Sequence, residues 1–216
     1  PHLILVGGAD HKTGQGGDER DSMRQLEDYV RQRFTVQSIE QRWSSEFYEP
    51  DDGLPYVGAV PGAGRLFMAT GYSGTGLTFG TLAGMLLSDL VVDRDNSLAA
   101  VFSPGRLKPL AAAKRFVSEN VNVAQRFVGD RLTTDSIRSL EEIRPGEGRV
   151  VRYRGQALAA YRSDEGQLTT LSPACTHAGC FVQWNEQEHT WDCPCHGGRY
   201  SPTGERLYGP PPRNLD

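Results

Sequence analysis

Two short patterns of cysteine and histidine, Cys175-x-His177 and Cys193-x-x-His196, carry the most specific chemistry in this sequence. Fifteen residues separate them, and the stretch 175–198 holds all four cysteines and three of the five histidines of the 216-residue chain. Each pattern supplies one thiolate and one imidazole from a segment that contains glycine or proline. The spacing therefore predicts a metal centre held at the tips of two facing loops.

Three kinds of site compete for this stretch. Four cysteines can form two structural disulfides, but the matched positions of His177 and His196 then stay unexplained. A zinc site with two Cys and two His ligands is four-coordinate and redox-silent, but zinc fingers usually keep the cysteine pair and the histidine pair apart, whereas each half here mixes them. A [2Fe–2S] cluster with two cysteines on one iron and two histidines on the other accounts for the mixture.

The spacing C-x-H, fifteen residues, C-x-x-H resembles that of the Rieske family. The resemblance implies four cluster ligands: Cys175, His177, Cys193 and His196. The additional Cys180 and Cys195 resemble the branch found in cytochrome bc and b6f complexes, where this pair forms a disulfide between the loops. The tail 208–215, YGPPPRNL, is similar to the proline loop that covers the cluster in that family. The implied activity is one-electron transfer.

Two residues near the second pattern bear on the reduction potential. Two neutral imidazoles in place of thiolates make a cluster less negative, so its reduction costs less free energy. High-potential respiratory members of the family usually carry Ser after His-Gly, and its hydroxyl bonds a bridging sulfide; Gly198 stands at that place here. Tyr200 matches the family tyrosine that bonds a cysteine sulfur. The resemblance thus implies a potential below that of the respiratory proteins.

A second informative stretch joins a strand-like segment, 66–69, to a glycine-rich turn and a helix of small residues. Glycine lets the backbone approach a ligand closely, and free N–H groups at a helix start favour negative charge. Close packing of a helix on a sheet explains the same pattern, so the stretch alone leaves both possibilities open. The candidate cofactor-binding residues are Gly71, Gly74, Thr75, Gly76, Leu77 and Thr78.

Together with the preceding segment 42–58, which contains Arg-Trp and Asp-Gly-Leu-Pro, this stretch resembles the C-terminal part of FAD-dependent oxidoreductases of the D-amino-acid-oxidase type. The resemblance implies that N–H groups around Thr75, Gly76 and Leu77 stabilise negative charge on the pyrimidine side of FAD. It also implies an amine or amino-acid type of substrate. The G-x-G-x-x-G of that family has no counterpart in these residues, so we expect the remainder of the flavoprotein upstream.

Composition argues against several other functions. The net charge of −4, the pI near 5.8 and the lack of a Lys/Arg run speak against nucleic acid as a partner. The apolar run 82–87 is far shorter than the roughly 18 residues of a membrane span, so we expect no membrane-spanning segment in these residues. The cytoplasm is the expected compartment, although a Cys180–Cys195 disulfide is unusual there unless it is buried.

The predicted fold class is α+β, with a partial FAD-oxidoreductase α/β lobe and an all-β Rieske domain. The predicted boundaries are 1–97 for the oxidoreductase part, 98–132 for a linker with a helix, and 133–216 for the Rieske domain.

Hydrophobic periodicity and turn residues predict the individual elements. The expected helices are 22–33, with Ser22 as its N-cap, and 111–127, which Gly129 is placed to end. The expected strands are 34–43, a hairpin of 56–60 with 66–69, the short strands 150–153, 157–162 and 168–171, and a hairpin within 181–191.

These patterns predict an oxidoreductase that passes single electrons from a flavin through a [2Fe–2S] cluster to an unknown acceptor. The main alternative is a non-enzymatic electron carrier without a flavin, and an upstream G-x-G-x-x-G would favour the enzyme. A zinc-binding interaction module is a more remote alternative, which metal analysis would distinguish.

Overall fold

The computed structural model describes residues 3–15, 17–106 and 109–216, and the chain divides into two compact units. One unit combines the residues up to Ser44 with Val121–Asp216, and the other is Ser45–Asn120. Helices and strands are both present, and loops between strands of the C-terminal region carry the four cysteines with His177 and His196. Among the described helices, none is long and apolar enough to cross a membrane.

In the unit Ser45–Asn120, a two-stranded sheet packs against helices. Strand β1 (Tyr56–Ala59) pairs antiparallel with β2 (Phe67–Thr70), which confirms the predicted hairpin. The chain then enters α2 (Gly76–Val91) and the short α3 (Ala99–Phe102). The core consists of one cluster of buried side chains: Val57, Ala83, Leu86 and Phe102.

A buried ion pair stabilises the turn that leads into β1. Arg106 Nε lies 2.7 Å from Asp52 Oδ2, and Arg106 Nη2 lies 2.8 Å from Asp52 Oδ1, with both side chains only 5% exposed. The guanidinium also donates to the backbone oxygens of Leu54 and Pro55 and stacks on the ring of Tyr56. The Asp-Gly-Leu-Pro segment is thereby fixed by a residue more than fifty positions later in the chain.

Two small antiparallel sheets form the framework of the other unit. The first consists of β3 (Gly148–Tyr153), β4 (Gln156–Arg162) and β5 (Leu168–Leu171), close to the predicted strands. The second sheet consists of β6 (Gln183–Asn185), β7 (Thr190–Asp192), β8 (Arg199–Tyr200) and β9 (Arg206–Tyr208). Its strands lie side by side in this order.

The core of this unit has two clusters. The larger one surrounds the cysteines, and its buried members are Ala159, Cys175, Cys180, Val182, Trp191, Cys193, Tyr200 and Leu215. A smaller cluster lies beside the first sheet and contains Ile137, Ile143, Val151 and Ala160. A 3-10 helix, Leu140–Glu142, precedes β3.

Three details of the predicted elements are wrong. Helix α1 (Glu19–Arg31) begins three residues before Ser22, because Asp18 is its N-cap and accepts from the Arg20 amide. The segment 34–43 is described in full and forms no strand: it pairs with no other strand, and Phe34 and Trp43 are exposed. Helix α4 (Pro109–Thr133) continues through Gly129, since its backbone hydrogen bonds extend one more turn.

Candidate metal centre

The first cluster loop, residues 173–182, joins β5 to β6 and presents Cys175 and His177. The Cys175 amide donates to the oxygen of Cys180 at 2.8 Å, and the Gly179 amide donates to the oxygen of Cys175 at 2.8 Å. Gly179 has a φ of +79°, a left-handed conformation that glycine adopts without strain. These bonds make a tight turn that buries Cys175 and leaves His177 exposed.

The second cluster loop, residues 193–198, joins β7 to β8 and presents Cys193 and His196. The Cys193 amide donates to the oxygen of Gly198 at 2.7 Å, and the Gly197 amide donates to the oxygen of Cys193 at 3.0 Å. The loop resembles the first in its outcome: Cys193 is buried and His196 is exposed. Each loop therefore directs its cysteine inward and its histidine outward.

The two loops meet, and like side chains face each other. Cys180 and Cys195 form a disulfide that joins the loops. The rings of His177 and His196 lie edge to face with centroids 4.7 Å apart. Cys175 and Cys193 form no disulfide, and the interaction between their neighbouring thiols lowers the pKa of Cys175 and raises that of Cys193.

His196 lies where the neutral form of its ring is favoured. Partial burial of the ring and the positive charge of a protonated His177 both lower the pKa of His196. A neutral imidazole is the form that binds a metal ion, because its nitrogen lone pair is then free. The position at the exposed edge also leaves the imidazoles accessible from solvent.

Tyr200 extends from β8 to the sulfur of Cys175. Its hydroxyl oxygen lies 3.2 Å from Cys175 Sγ and accepts from the Thr176 amide at 3.1 Å. The Thr176 hydroxyl donates to the oxygen of Arg213 at 2.8 Å, which ties the tail to the first cluster loop. Burial, followed by the contact with the Cys175 thiol, raises the pKa of Tyr200 to about 12, so the hydroxyl keeps its proton near neutral pH.

The proline-rich tail covers the same place. A Cβ added to Gly198 would lie 2.5 Å from Pro211 Cγ and 3.6 Å from Cys175 Sγ. Gly198 and Pro211 are both buried. A side chain at this position would therefore require the proline ring to shift.

The donor set fits a Rieske-type [2Fe–2S] cluster. Such a cluster needs one pair of thiolates and one pair of imidazoles, and the two cluster loops bring together one pair of each. The two pairs also differ in exposure, since the thiols are buried and the imidazoles reach the surface. Across the described residues, no group of three or more His, Cys, Asp or Glu side chains is placed to hold one metal ion.

Beside the second cluster loop lies a buried ion pair that the sequence patterns did not predict. Arg199 Nε and Nη2 lie 2.8 and 2.9 Å from the two carboxylate oxygens of Asp192, and both side chains are almost fully buried. Asn185 and Thr190 donate to the same carboxylate at 3.0 and 2.9 Å. Because Asp192 directly precedes Cys193, this network holds the start of the loop.

The candidate flavin-binding residues lie at the turn between β2 and α2. The helix begins at Gly76, and the amides of its first turn have no partner within the helix. The Thr75 amide donates to the oxygen of Tyr72 at 2.9 Å, so the amides open to a ligand start at Gly76. Leu77 is 93% exposed.

The glycines of this turn differ in their surroundings. Gly71 has a φ of +78°, and an added Cβ would lie 2.5 Å from Pro50 Cγ. Gly74 also has a φ of +78° and faces the ring of Phe47. A Cβ on Gly76 would meet nothing within 4 Å, which leaves Gly76 the glycine most open to a bound molecule. Thr78 is exposed in the first turn of α2.

Comparison with family models gives two matches. The model of the Rieske [2Fe-2S] domain matches residues 135–216, and the model of the FAD dependent oxidoreductase family matches residues 1–90. Both matches cover the segments that carry the motifs described above.

Several curated proteins with a similar sequence are named as Rieske proteins or as iron–sulfur subunits of cytochrome complexes. YhfW of Bacillus subtilis, whose name marks it as an inferred Rieske 2Fe-2S iron–sulfur protein, is 36% identical over 96% of this chain and 41% of its own length. The cytochrome b6-f complex iron–sulfur subunit of Synechococcus elongatus is 32% identical over 64% of this chain and 71% of its own length. The corresponding subunit of Chlorobaculum thiosulfatiphilum is 35% identical, and 40% of its length is matched.

Two solved structures are also similar. The plasma membrane Rieske protein PetC3 from Synechocystis PCC 6803 is 32% identical, with a TM-score of 0.29, over 32% of this chain and 70% of that one. A chain of a hyperthermophilic respiratory complex III is 28% identical, with a TM-score of 0.32, over 50% of this chain and 87% of that one. The chain spans about two fifths of the length of YhfW and of the Chlorobaculum subunit.

Proposed function

The chain belongs to the Rieske [2Fe-2S] family and also carries part of an FAD-dependent oxidoreductase domain, and we propose that it passes single electrons from a flavin to an acceptor. The intact protein would oxidise an amine or amino acid. The single observation that carries this proposal is the pair of disulfide-joined loops that present two buried thiols and two exposed imidazoles.

Four residues hold the cluster in this proposal: Cys175 and Cys193 on one iron, His177 and His196 on the other. When bound, the cluster supplies one-electron transfer and FAD supplies two-electron oxidation of the substrate. The Cys180–Cys195 disulfide keeps the loops together, and the tail with Pro211 excludes water from the sulfur side. The Tyr200 hydroxyl lies 3.2 Å from Cys175 Sγ, and donation of its proton to a thiolate there would stabilise added negative charge.

The glycine-rich turn is the proposed contact with the flavin. The set comprises Gly71, Gly74, Thr75, Gly76, Leu77 and Thr78. Within it, Gly71 and Gly74 shape the turn by packing against Pro50 and Phe47. The first-turn amides of α2 stabilise negative charge on the flavin because they carry the positive end of the helix dipole.

The exposed imidazoles are the proposed exit for electrons. His177 and His196 reach the surface, whereas Cys175 and Cys193 are buried, so an acceptor approaches the histidine side most closely. The domain boundaries at 97 and 132 and the cytoplasmic location stay predictions from the sequence.

The test is EPR spectroscopy with iron and flavin analysis of the full-length protein after reduction by dithionite. We expect a rhombic Rieske-type signal, two irons per chain and one bound FAD, because both cofactor families are represented. A silent sample with one zinc per chain would overturn the electron-transfer function. A Rieske-type signal without flavin would support the simple electron carrier instead.

A further inference from the structure

Arg131, in the C-terminal part of α4, binds the backbone of the first cluster loop. Its Nη2 donates to the oxygen of Gly179 at 2.6 Å, and its guanidinium lies over the rings of Phe127 and Phe181 at 3.9 and 4.5 Å. Gly179 directly precedes Cys180, so the held backbone is the part of the loop next to the disulfide. The aromatic rings restrict the side chain of Arg131 to this position.

A second set of hydrogen bonds, made by Gln15 and Asn122, holds the second cluster loop. Gln15 Nε2 donates to the oxygen of Pro194 at 2.7 Å and to Asn122 Oδ1 at 2.9 Å, and Asn122 Nδ2 donates back to Gln15 Oε1 at 3.3 Å. Pro194 lies between Cys193 and Cys195. The neighbouring Gly14 approaches so closely that an added Cβ would lie 3.2 Å from the nitrogen of Pro194.

Both sets of contacts involve side chains of helix α4. Asn122 and Arg131 are nine residues apart on α4, which corresponds to about 14 Å along a regular helix. Between them, Val123 packs against the core cluster that contains the cysteines. A helix of this length is stiff, so it fixes the distance between its two contacts independently of the covalent bond between the loops.

We propose that Gln15, Asn122 and Arg131 form a clasp that positions the two cluster loops against each other. The clasp keeps the four proposed ligands in place when the Cys180–Cys195 disulfide is reduced. The ligand part of this inference rests on the proposed function, whereas the positioning of the loops does not. All three are positioning residues, since they act through the loop backbone.

The clasp has a consequence for the disulfide that is independent of the cluster. In a glutathione buffer, two glutathione thiols reduce the disulfide to the Cys180 and Cys195 thiols and form one glutathione disulfide. A protein that holds the two thiols close together raises their effective concentration and so favours the disulfide. Loss of the contacts of either Gln15 or Arg131 should therefore make the disulfide easier to reduce.

The experiment measures this equilibrium in the full-length protein and in the variants Gln15→Ala and Arg131→Met. The fractions of Cys180 and Cys195 in thiol form are read by alkylation and mass spectrometry in glutathione buffers of known ratio. Each variant is expected to lower the equilibrium constant for disulfide formation about fivefold to tenfold, the size of one lost hydrogen bond. An unchanged constant in both variants overturns the clasp.

Matched controls separate the clasp from general effects of the substitutions. Gln25→Ala and Arg138→Met change exposed residues of the same types, and we expect them to leave the constant unchanged. Arg131→Lys keeps the charge but loses the planar fork that Arg131 uses, so it should lower the constant by a smaller factor. This variant carries the test if Arg131→Met fails to fold by circular dichroism.

A second readout follows the cluster. Cys180→Ser removes the disulfide, and the clasp predicts that this variant still retains two irons per chain. Adding Gln15→Ala and Arg131→Met to Cys180→Ser should accelerate iron loss to a chelator about tenfold or more, and equal rates would overturn the clasp. A wild-type protein without a Rieske-type signal would defeat the proposed function, while the disulfide equilibrium would still decide on the clasp.

Discussion

At the scale of single residues, the sulfur of Cys175 has the most specific surroundings. The hydroxyl of Tyr200 lies 3.2 Å from it and keeps its proton near neutral pH, because the pKa of Tyr200 is raised to about 12. A hydrogen bond to a thiolate stabilises the more negative, reduced form of a cluster over the oxidised form. We therefore propose that Tyr200 raises the potential of a cluster bound at Cys175.

Replacing Tyr200 by phenylalanine should lower the midpoint potential. One hydrogen bond to a charged sulfur is worth about 1.4 kcal/mol, which corresponds to about 60 mV for a one-electron couple. The measurement is a redox titration followed by EPR. Tyr153→Phe, at the end of β3, is the matched control and should leave the potential unchanged. An unaltered potential in Tyr200→Phe would show that its hydroxyl does not bond a ligand sulfur.

At the scale of elements, the turn between β2 and α2 contains two kinds of glycine. Some pack against neighbouring side chains, and one has free space beside it that a ligand could occupy. Gly71 combines a φ of +78° with a close approach to Pro50, so a side chain there is strained and crowded. Gly76 starts the helix with nothing within 4 Å of an added Cβ. The same residue type therefore serves packing at one position and access at the other.

This difference predicts opposite effects of two substitutions. Gly76→Val should weaken FAD binding about tenfold, because its side chain fills the space in front of the first-turn amides, with little change in stability. Gly71→Ala should lower the free energy of unfolding by about 1–3 kcal/mol. Flavin titration of the apoprotein and urea denaturation measure the two effects. Wild-type affinity in Gly76→Val would exclude the turn as a flavin contact.

At the scale of the whole molecule, each compact unit has its own core and its own buried ion pair. Arg106 and Asp52 belong to the unit Ser45–Asn120, and Arg199 and Asp192 belong to the other. The net stabilisation by a buried ion pair is smaller than the destabilisation caused by removing one partner. The reason is that the removal leaves an uncompensated charge in the interior.

Removing the charge of Arg106 should therefore destabilise the unit Ser45–Asn120. Arg106→Met is expected to lower its free energy of unfolding by about 3 kcal/mol, since Asp52 stays buried beside an apolar side chain. Hydrogen exchange of peptides from residues 45–106 measures this change by mass spectrometry. Arg94→Met breaks the more exposed pair with Asp89 and should cost less than about 1 kcal/mol. Equal protection in the two variants would contradict the prediction.

Local patterns predicted the elements that depend on near neighbours. The hairpin of β1 and β2 follows from the turn residues between two apolar runs, and the strands of the first sheet follow from short β-type runs with glycine between them. The segment 34–43 has a similar local pattern but forms no strand, because no partner strand lies beside it. A strand is a property of a pair, and single segments do not reveal their partners.

By itself, the sequence determined the types and the spacing of the candidate cluster ligands, because these are local to each loop and follow directly from the order of residues. Tertiary structure alone decided which contacts hold the loops in addition to the Cys180–Cys195 disulfide. Gln15 and Pro194 are 179 residues apart, and Arg131 and Gly179 are 48 apart, yet each pair shares a hydrogen bond. Such contacts depend on the packing of the whole unit, and nothing in the residues next to Gln15 or Arg131 indicates them.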